Sequence, residues 1–177
     1  MPTYWDRLAQ THIKIGEAGF WLKHRPRITE GLSGQILEIC SGGGRLGFDL
    51  YQRDLDAYSF DPVHIARADV IRLPFADATF DAVISTGAIA LFRPEAQRAA
   101  VGELSRVTRR EVRLLESFEK LKGLYGGRTL AFMFDGMRPI SAEVFHSCGL
   151  DCTRVWDVSG GTFSYISCQK RPYSVKN

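Results

Sequence analysis

The chain has 177 residues, 45% of them hydrophobic, and a formal net charge of +3. That is enough for one domain with a real core and too little for two. No run of Lys or Arg is longer than a pair such as Arg109-Arg110, and no apolar run reaches the roughly 20 residues of a spanning helix, so composition makes no case for a nucleic-acid binder or a membrane protein. The start of the chain, Met1 to Arg7, lacks the basic-then-apolar pattern of a secretory signal, and the expected location is cytoplasmic. The four cysteines, Cys40, Cys148, Cys152 and Cys168, show no metal-ligand spacing. They read as free thiols of a reducing compartment, with a soft-metal site the lesser alternative; no metal is expected.

In chain order, residues 4 to 32 mix aromatic and basic side chains, and Leu8, Ile13, Ile15, Phe20 and Leu22 have a partly helical period. Residues 1–34 read as a helical cap and 35–177 as the sheet core of one domain. Gln35 to Cys40 is the first predicted strand, Arg45 to Arg53 a helix, and Ala57 to Phe60 a short second strand ending at Asp61-Pro62. Thr79 to Ser85 is a β-branched buried strand. Pro94 to Thr108 is a helix with Ala100, Val101, Leu104 and Val107 on one face, and Pro94 suits its first turn. Val112 to Leu115 is the next strand. Ser141 is expected to cap a helix running to Cys148, with Gly149 just past its end. Thr153 to Val158 and Thr162 to Cys168 flank Ser159-Gly160-Gly161 as a closing hairpin. Strands alternating with helices before an antiparallel hairpin predict a three-layer α/β fold with a mostly parallel sheet. The segment Phe118 to Pro139 reads either as an extra strand or as an apolar lid.

The chemistry-bearing stretch is Ile36-Leu37-Glu38-Ile39-Cys40-Ser41-Gly42-Gly43-Gly44. An apolar strand ends in an acid, and a glycine turn opens a helix. That turn lies at the carboxyl edge of a parallel sheet, where nucleotide-like ligands approach backbone closely. Gly42 to Gly47 formally satisfies the dinucleotide fingerprint, and Asp61 stands near the spacing of a ribose-binding acid. An acid inside the first strand argues for a different adenosine-containing ligand. So does the downstream run Asp69-Val70-Ile71-Arg72-Leu73-Pro74-Phe75, followed by Phe80-Asp81.

With these motifs together, residues 36 to 168 resemble the class I S-adenosylmethionine-dependent methyltransferases, in particular the ubiquinone and menaquinone biosynthesis branch. The resemblance implies a Rossmann-like fold, S-adenosylmethionine as cofactor with S-adenosylhomocysteine as product, and a small-molecule acceptor. It further implies that Glu38 and the backbone of Cys40, Ser41 and Gly42, beside Gly44, hold the methionine end. Asp61, with Pro62, would take the ribose; Asp69 and the Val70 amide would take the adenine. Ser85, Thr86 and Gly87 would line the space beside the sulfonium. No general base stands out, and His12 and His24 are the first candidates. Asp81 reads as a strand start without chemistry. Cys40-Ser41 and Arg109-Arg110-Glu111 depart from the family pattern. Only eight positions lead from Asp61 to Asp69, whereas a parallel crossover needs about a dozen residues. One edge element of the sheet is therefore expected to be missing. A non-catalytic cofactor-binding subunit is the main alternative function, and a nicotinamide-dependent oxidoreductase a third. A compact chain with an exposed sheet edge has the means to form a homodimer.

Overall fold

The computed structural model describes residues 24, 27–40, 56–57, 68–118, 138–158 and 163–172. They build a six-stranded sheet in the order β2-β1-β3-β4-β6-β5. The strands are β1 (Gln35–Glu38), β2 (Asp56–Ala57), β3 (Phe80–Thr86), β4 (Thr108–Glu116), β5 (Leu150–Val158) and β6 (Phe163–Lys170). The first four pair in parallel, while β6 runs antiparallel to both β4 and β5. This is the expected three-layer class with its antiparallel end. The missing edge element was expected between Asp61 and Asp69, and residues 58–67 lie outside the described residues.

Side chains alternate between the two faces of a strand. Leu37 and Ile39 of β1 therefore join one core cluster with Val83, Val112, Leu114 and Ile166, and Ile36 joins a second with Ala82, Ile84, Leu115 and Tyr165. The first cluster is covered by α1 (Pro94–Val107), whose Val101, Leu104 and Val107 are buried, and by α2 (Ala142–Ser147) through Phe145. Burying each such side chain contributes about 1.5–3 kcal/mol. The second cluster packs Ile28 and Leu32 from the end of the N-terminal segment. Arg113 fastens that segment to the sheet by donating to the carbonyls of Ile28 and Glu30, at 3.3 and 2.5 Å.

Four details differ from the sequence expectation. Strand β4 begins at Thr108, because the charged run Arg109-Arg110-Glu111 finds partners while extended. Arg109 Nε donates to the Ala78 carbonyl and Arg110 to that of Ser33. Strand β5 begins at Leu150, which is fully buried against the first cluster. Ser141 occupies the N-cap of α2 but its hydroxyl makes no capping hydrogen bond; Gly149 does take the positive φ, +81°, that ends this helix.

The fourth correction concerns the cysteines. Cys152 and Cys168 sit opposite one another on β5 and β6 and are joined by a disulfide, leaving Cys40 and Cys148 as free thiols. The register of a hairpin decides this pairing, and spacing along the chain does not display it. Two predictions follow from the packing. Gly34 has φ +86°, and a Cβ there would overlap the Asp81 carboxylate, lying 2.8 Å from its Cγ. Gly34→Ala should cost about 2 kcal/mol or more in urea unfolding. The disulfide closes a 16-residue separation. Reducing it should lower unfolding stability by about 3 kcal/mol on the chain-entropy scale, read from urea curves with and without dithiothreitol.

Candidate functional site

The carboxyl ends of β1, β3 and β4 lie side by side. Glu38 closes β1, pairs with Ile84 in register and is buried. The Ile39 amide still bonds the Ile84 carbonyl at 3.0 Å, and at Cys40 the chain turns away with φ +52°. A left-handed φ is uncommon outside glycine and marks a sharply imposed turn. Ser41, Gly42, Gly44, Asp61 and Pro62 lie outside the described residues.

At the end of β3, Ser85 is fully buried, and Thr86 and Gly87 are half-buried. Gly87 has φ +66°, and its amide donates to the Leu115 carbonyl of β4 at 2.9 Å. What organises this corner is Glu116, the last residue of β4, which the sequence reading did not assign a role. Its carboxylate is fully buried. Oε1 accepts the Ala88 and Ile89 amides at 2.8 and 3.0 Å and the Ser85 hydroxyl at 3.3 Å; Oε2 accepts the Ala90 amide at 3.3 Å. The three amides open a 3-10 turn, Ile89–Leu91, and its unpaired N–H groups find their acceptor here. Burial raises the Glu116 pKa, and the three amides and the hydroxyl pull it back. The next residue, Ser117, is also fully buried, and its hydroxyl has no hydrogen-bond partner among the described residues.

Cys40 reports on the field at this corner. Burial pushes its thiol up to about 12, and the Glu116 and Glu38 carboxylates push the same way. By accessible surface the residue as a whole is exposed. Burial of the sulfur and the Glu116 and Glu38 charges all favour the neutral thiol at pH 7.

Asp69 and Val70 stand elsewhere on the chain's path. Asp69 is exposed and folds onto its own turn: its Oδ1 accepts the Ile71 amide at 3.1 Å, and its carbonyl accepts the Arg72 amide at 2.9 Å. Val70 is half-buried against the first core cluster. Of the two candidate bases, His24 is helical and half-buried, and His12 lies outside the described residues.

The stretch from Leu73 to Asp81 acts as a tether. Phe75 meets Phe80 edge-on, with ring centroids 4.9 Å apart. Arg106 of α1 donates to the carbonyls of Leu73 and Phe75, to Asp77 at 2.8 Å and to both Glu103 oxygens at 2.7 Å. Glu103 in turn accepts the Leu73 amide at 2.6 Å. Asp81 accepts the Gln35 amide at 2.9 Å, fixing where β1 begins. Among the described residues no group of three or more His, Cys, Asp or Glu is placed to hold a metal ion.

Comparison with known proteins bears on the domain and the fold. Residues 33–115 match the family model described as a methyltransferase domain. No curated protein matches the chain. A chain of the Haloferax volcanii complex between the Trm112 methyltransferase activator and a methyltransferase superposes with TM-score 0.67 at 11% identity, over 98% of this chain and 100% of that one. A SAM-dependent methyltransferase from Thermotoga maritima gives TM-score 0.67 at 14% identity, over 94% and 98%. Geranyl diphosphate methyltransferase, solved with GPP and sinefungin, gives 0.62 at 12%, over 85% and 78%. Residues 33–115 thus carry the likeness to a methyltransferase domain, and the fold is shared with methyltransferase structures at 11–14% identity. Two buried acids, Glu38 and Glu116, stand at this corner, a charge that would suit the cationic amino and sulfonium groups of S-adenosylmethionine.

The tether yields a pH prediction. The Arg106 hydrogen bond, foremost, holds the Glu103 pKa below the ordinary carboxylate value. A carboxyl whose folded pKa is lowered contributes stability above its unfolded pKa and loses it as pH falls through the folded one. Arg106→Ala should cost about 1–2 kcal/mol at pH 7, discounted for the partial exposure of the pair. Glu103→Gln should flatten the decline of stability below the ordinary carboxylate value of 4.5; chemical unfolding across that range reads both.

Proposed function

We propose that this chain transfers the methyl group of S-adenosylmethionine to a small-molecule acceptor by in-line displacement, working in the cytoplasm as one domain with residues 1–34 as cap and 35–177 as core. The observation that carries the reading is the convergence of Glu38, Cys40, Ser85 to Gly87 and Glu116 at the carboxyl edge of the sheet, where the glycine turn Gly42 to Gly44 follows in sequence. In this reading Glu38 and the 40–42 backbone hold the methionine end, Asp61 with Pro62 the ribose, and Asp69 with the Val70 amide the adenine. The Asp69 carboxylate already bonds its own turn through Oδ1, so it offers the adenine amino group its other oxygen. Ser85, Thr86 and Gly87 form the wall beside the sulfonium.

Displacement at a sulfonium methyl needs orientation and exclusion of water more than covalent help. A flat or apolar acceptor suits the aromatic segments on either side of the cofactor frame, residues 1–25 and 118–139, which include Trp5, Trp21, Tyr125 and Phe132. The likeness to the ubiquinone and menaquinone branch favours a small molecule, and one structural relative is a methyltransferase solved with geranyl diphosphate. A cytoplasmic location goes with the free thiols Cys40 and Cys148, while the Cys152–Cys168 bond is more usual of oxidising compartments. No helix among the described residues is long and apolar enough to cross a membrane.

A second reading is a non-catalytic or activator-dependent subunit, favoured by the relative found in complex with the Trm112 activator. Titration calorimetry with S-adenosylmethionine, S-adenosylhomocysteine and NAD tests the site. The first two should bind and NAD should not, and Asp61→Ala should weaken binding by about 1.5–3 kcal/mol, the scale of hydrogen bonds to a charged group. NAD binding alone, or a loss below about 0.3 kcal/mol, would overturn the assignment. Removing residues 1–25 separates the two readings. An enzyme should lose methyl transfer and keep cofactor binding, whereas a subunit should show no transfer to any acceptor before or after truncation.

A further inference from the structure

Glu116 is a buried carboxylate whose partners among the described residues are all neutral. Three of the four are backbone amides, which only donate, and the fourth is the Ser85 hydroxyl. No salt bridge to Glu116 exists among the described residues. Burial raises the Glu116 pKa, the N–H groups on both oxygens work against that and favour the ionised form, and among the described residues its charge is answered by dipoles rather than by a cation. A buried charge of this kind acts over a longer range than an exposed one, because little water screens it.

Its position directs that field. The Ala88 to Ala90 amides that it holds continue directly from Ser85, Thr86 and Gly87, and Ile84 just before them receives the Ile39 amide that leads into Cys40. A short hydrogen-bonded path thus joins the exits of β1, β3 and β4. Cys40, where the chain leaves β1 with φ +52°, stands at the end of that path.

We propose that Glu116 sets the charge preference of the cofactor pocket, favouring a ligand with a positive centre at the methyl-donor position over the neutral demethylated product. The proposal rests on S-adenosylmethionine lying at this edge, as argued above. Three ligands isolate the charge. S-adenosylmethionine carries a sulfonium at that position, sinefungin carries an ammonium there and transfers no methyl group, and S-adenosylhomocysteine is neutral there. They share the same adenosine and amino-acid ends. Glu116→Gln removes the charge while keeping an oxygen for the Ala88 and Ile89 amides. Glu116 is a specificity-determining group here, and methyl transfer need not be measured.

Titration calorimetry of the wild type and of Glu116→Gln with each ligand gives the test. The variant should bind S-adenosylmethionine and sinefungin about fivefold more weakly and S-adenosylhomocysteine within about twofold of the wild type. Equal weakening of all three would show that Glu116 only shapes the turn and would overturn the proposal, as would no change in any. If the variant does not fold, the wild type still decides: sinefungin must bind more tightly than S-adenosylhomocysteine, and the reverse order rejects the proposal. Failure of the wild type to bind any of the three would instead reject the placement of the cofactor.

Discussion

The Glu116 carboxylate is the constraint on which the functional edge of this fold depends. Three amides at the start of a short 3-10 turn and one hydroxyl converge on it from the exit of β3. An apolar side chain there would leave those buried N–H groups without an acceptor, at a cost of about 1–3 kcal/mol for each group left unpaired. The turn would then have no reason to fold back against β4. The Gly87 amide bond to Leu115 and the parallel bridge between Phe118 and Ile140 extend the same corner beyond the strand. The wall beside the proposed methyl donor is therefore built from the neighbouring strand, through one side chain.

The helix-covered face supplies the second layer of organisation. Arg106 gathers two carbonyls and two carboxylates from the 73–77 loop and its own helix, and Asp81 ties the start of β1 to β3. The Leu73-Pro74-Phe75 and Phe80-Asp81 residues that make the chain resemble the class I methyltransferases are thus stability elements. They fix the loop that carries Asp69 and the level at which β1 enters the sheet. A motif can identify a family without touching a ligand, because the geometry of a site depends on what anchors its loops.

Fold and chemistry are separate questions in this architecture. The same sheet and helix layers host many reactions, and the acceptor is chosen by segments outside the cofactor frame. In the proposed reading those segments are the N-terminal cap and the 118–139 stretch, which hold Tyr4, Trp5, Phe20, Trp21, Tyr125, Phe132 and Phe134. The buried, unpartnered hydroxyl of Ser117 lies at the junction between β4 and that second stretch. It is one more polar group at the edge where cofactor and acceptor are proposed to meet.

Much of this was legible in the sequence. The order of strands and helices, the parallel sheet with an antiparallel end and the apolar face of α1 all follow from local signals, while the cofactor is what the family resemblance implies. Hydrophobic period, turn chemistry and a glycine motif each occupy a dozen residues or fewer, and each acts through its immediate neighbours. Glu116 was visible as an acid closing an apolar strand, just as Glu38 is, but nothing local told that its partners are amides 26 to 28 residues earlier in the chain. The Cys152–Cys168 bond, the tether made by Arg106 and the grip of Asp81 on Gln35 are of the same kind. Each depends on strand register or on helix-to-loop packing, which bring distant residues together only once the sheet has formed. Local periodicity determined what elements this protein has, and tertiary packing decided which side chains meet at the edge of the sheet.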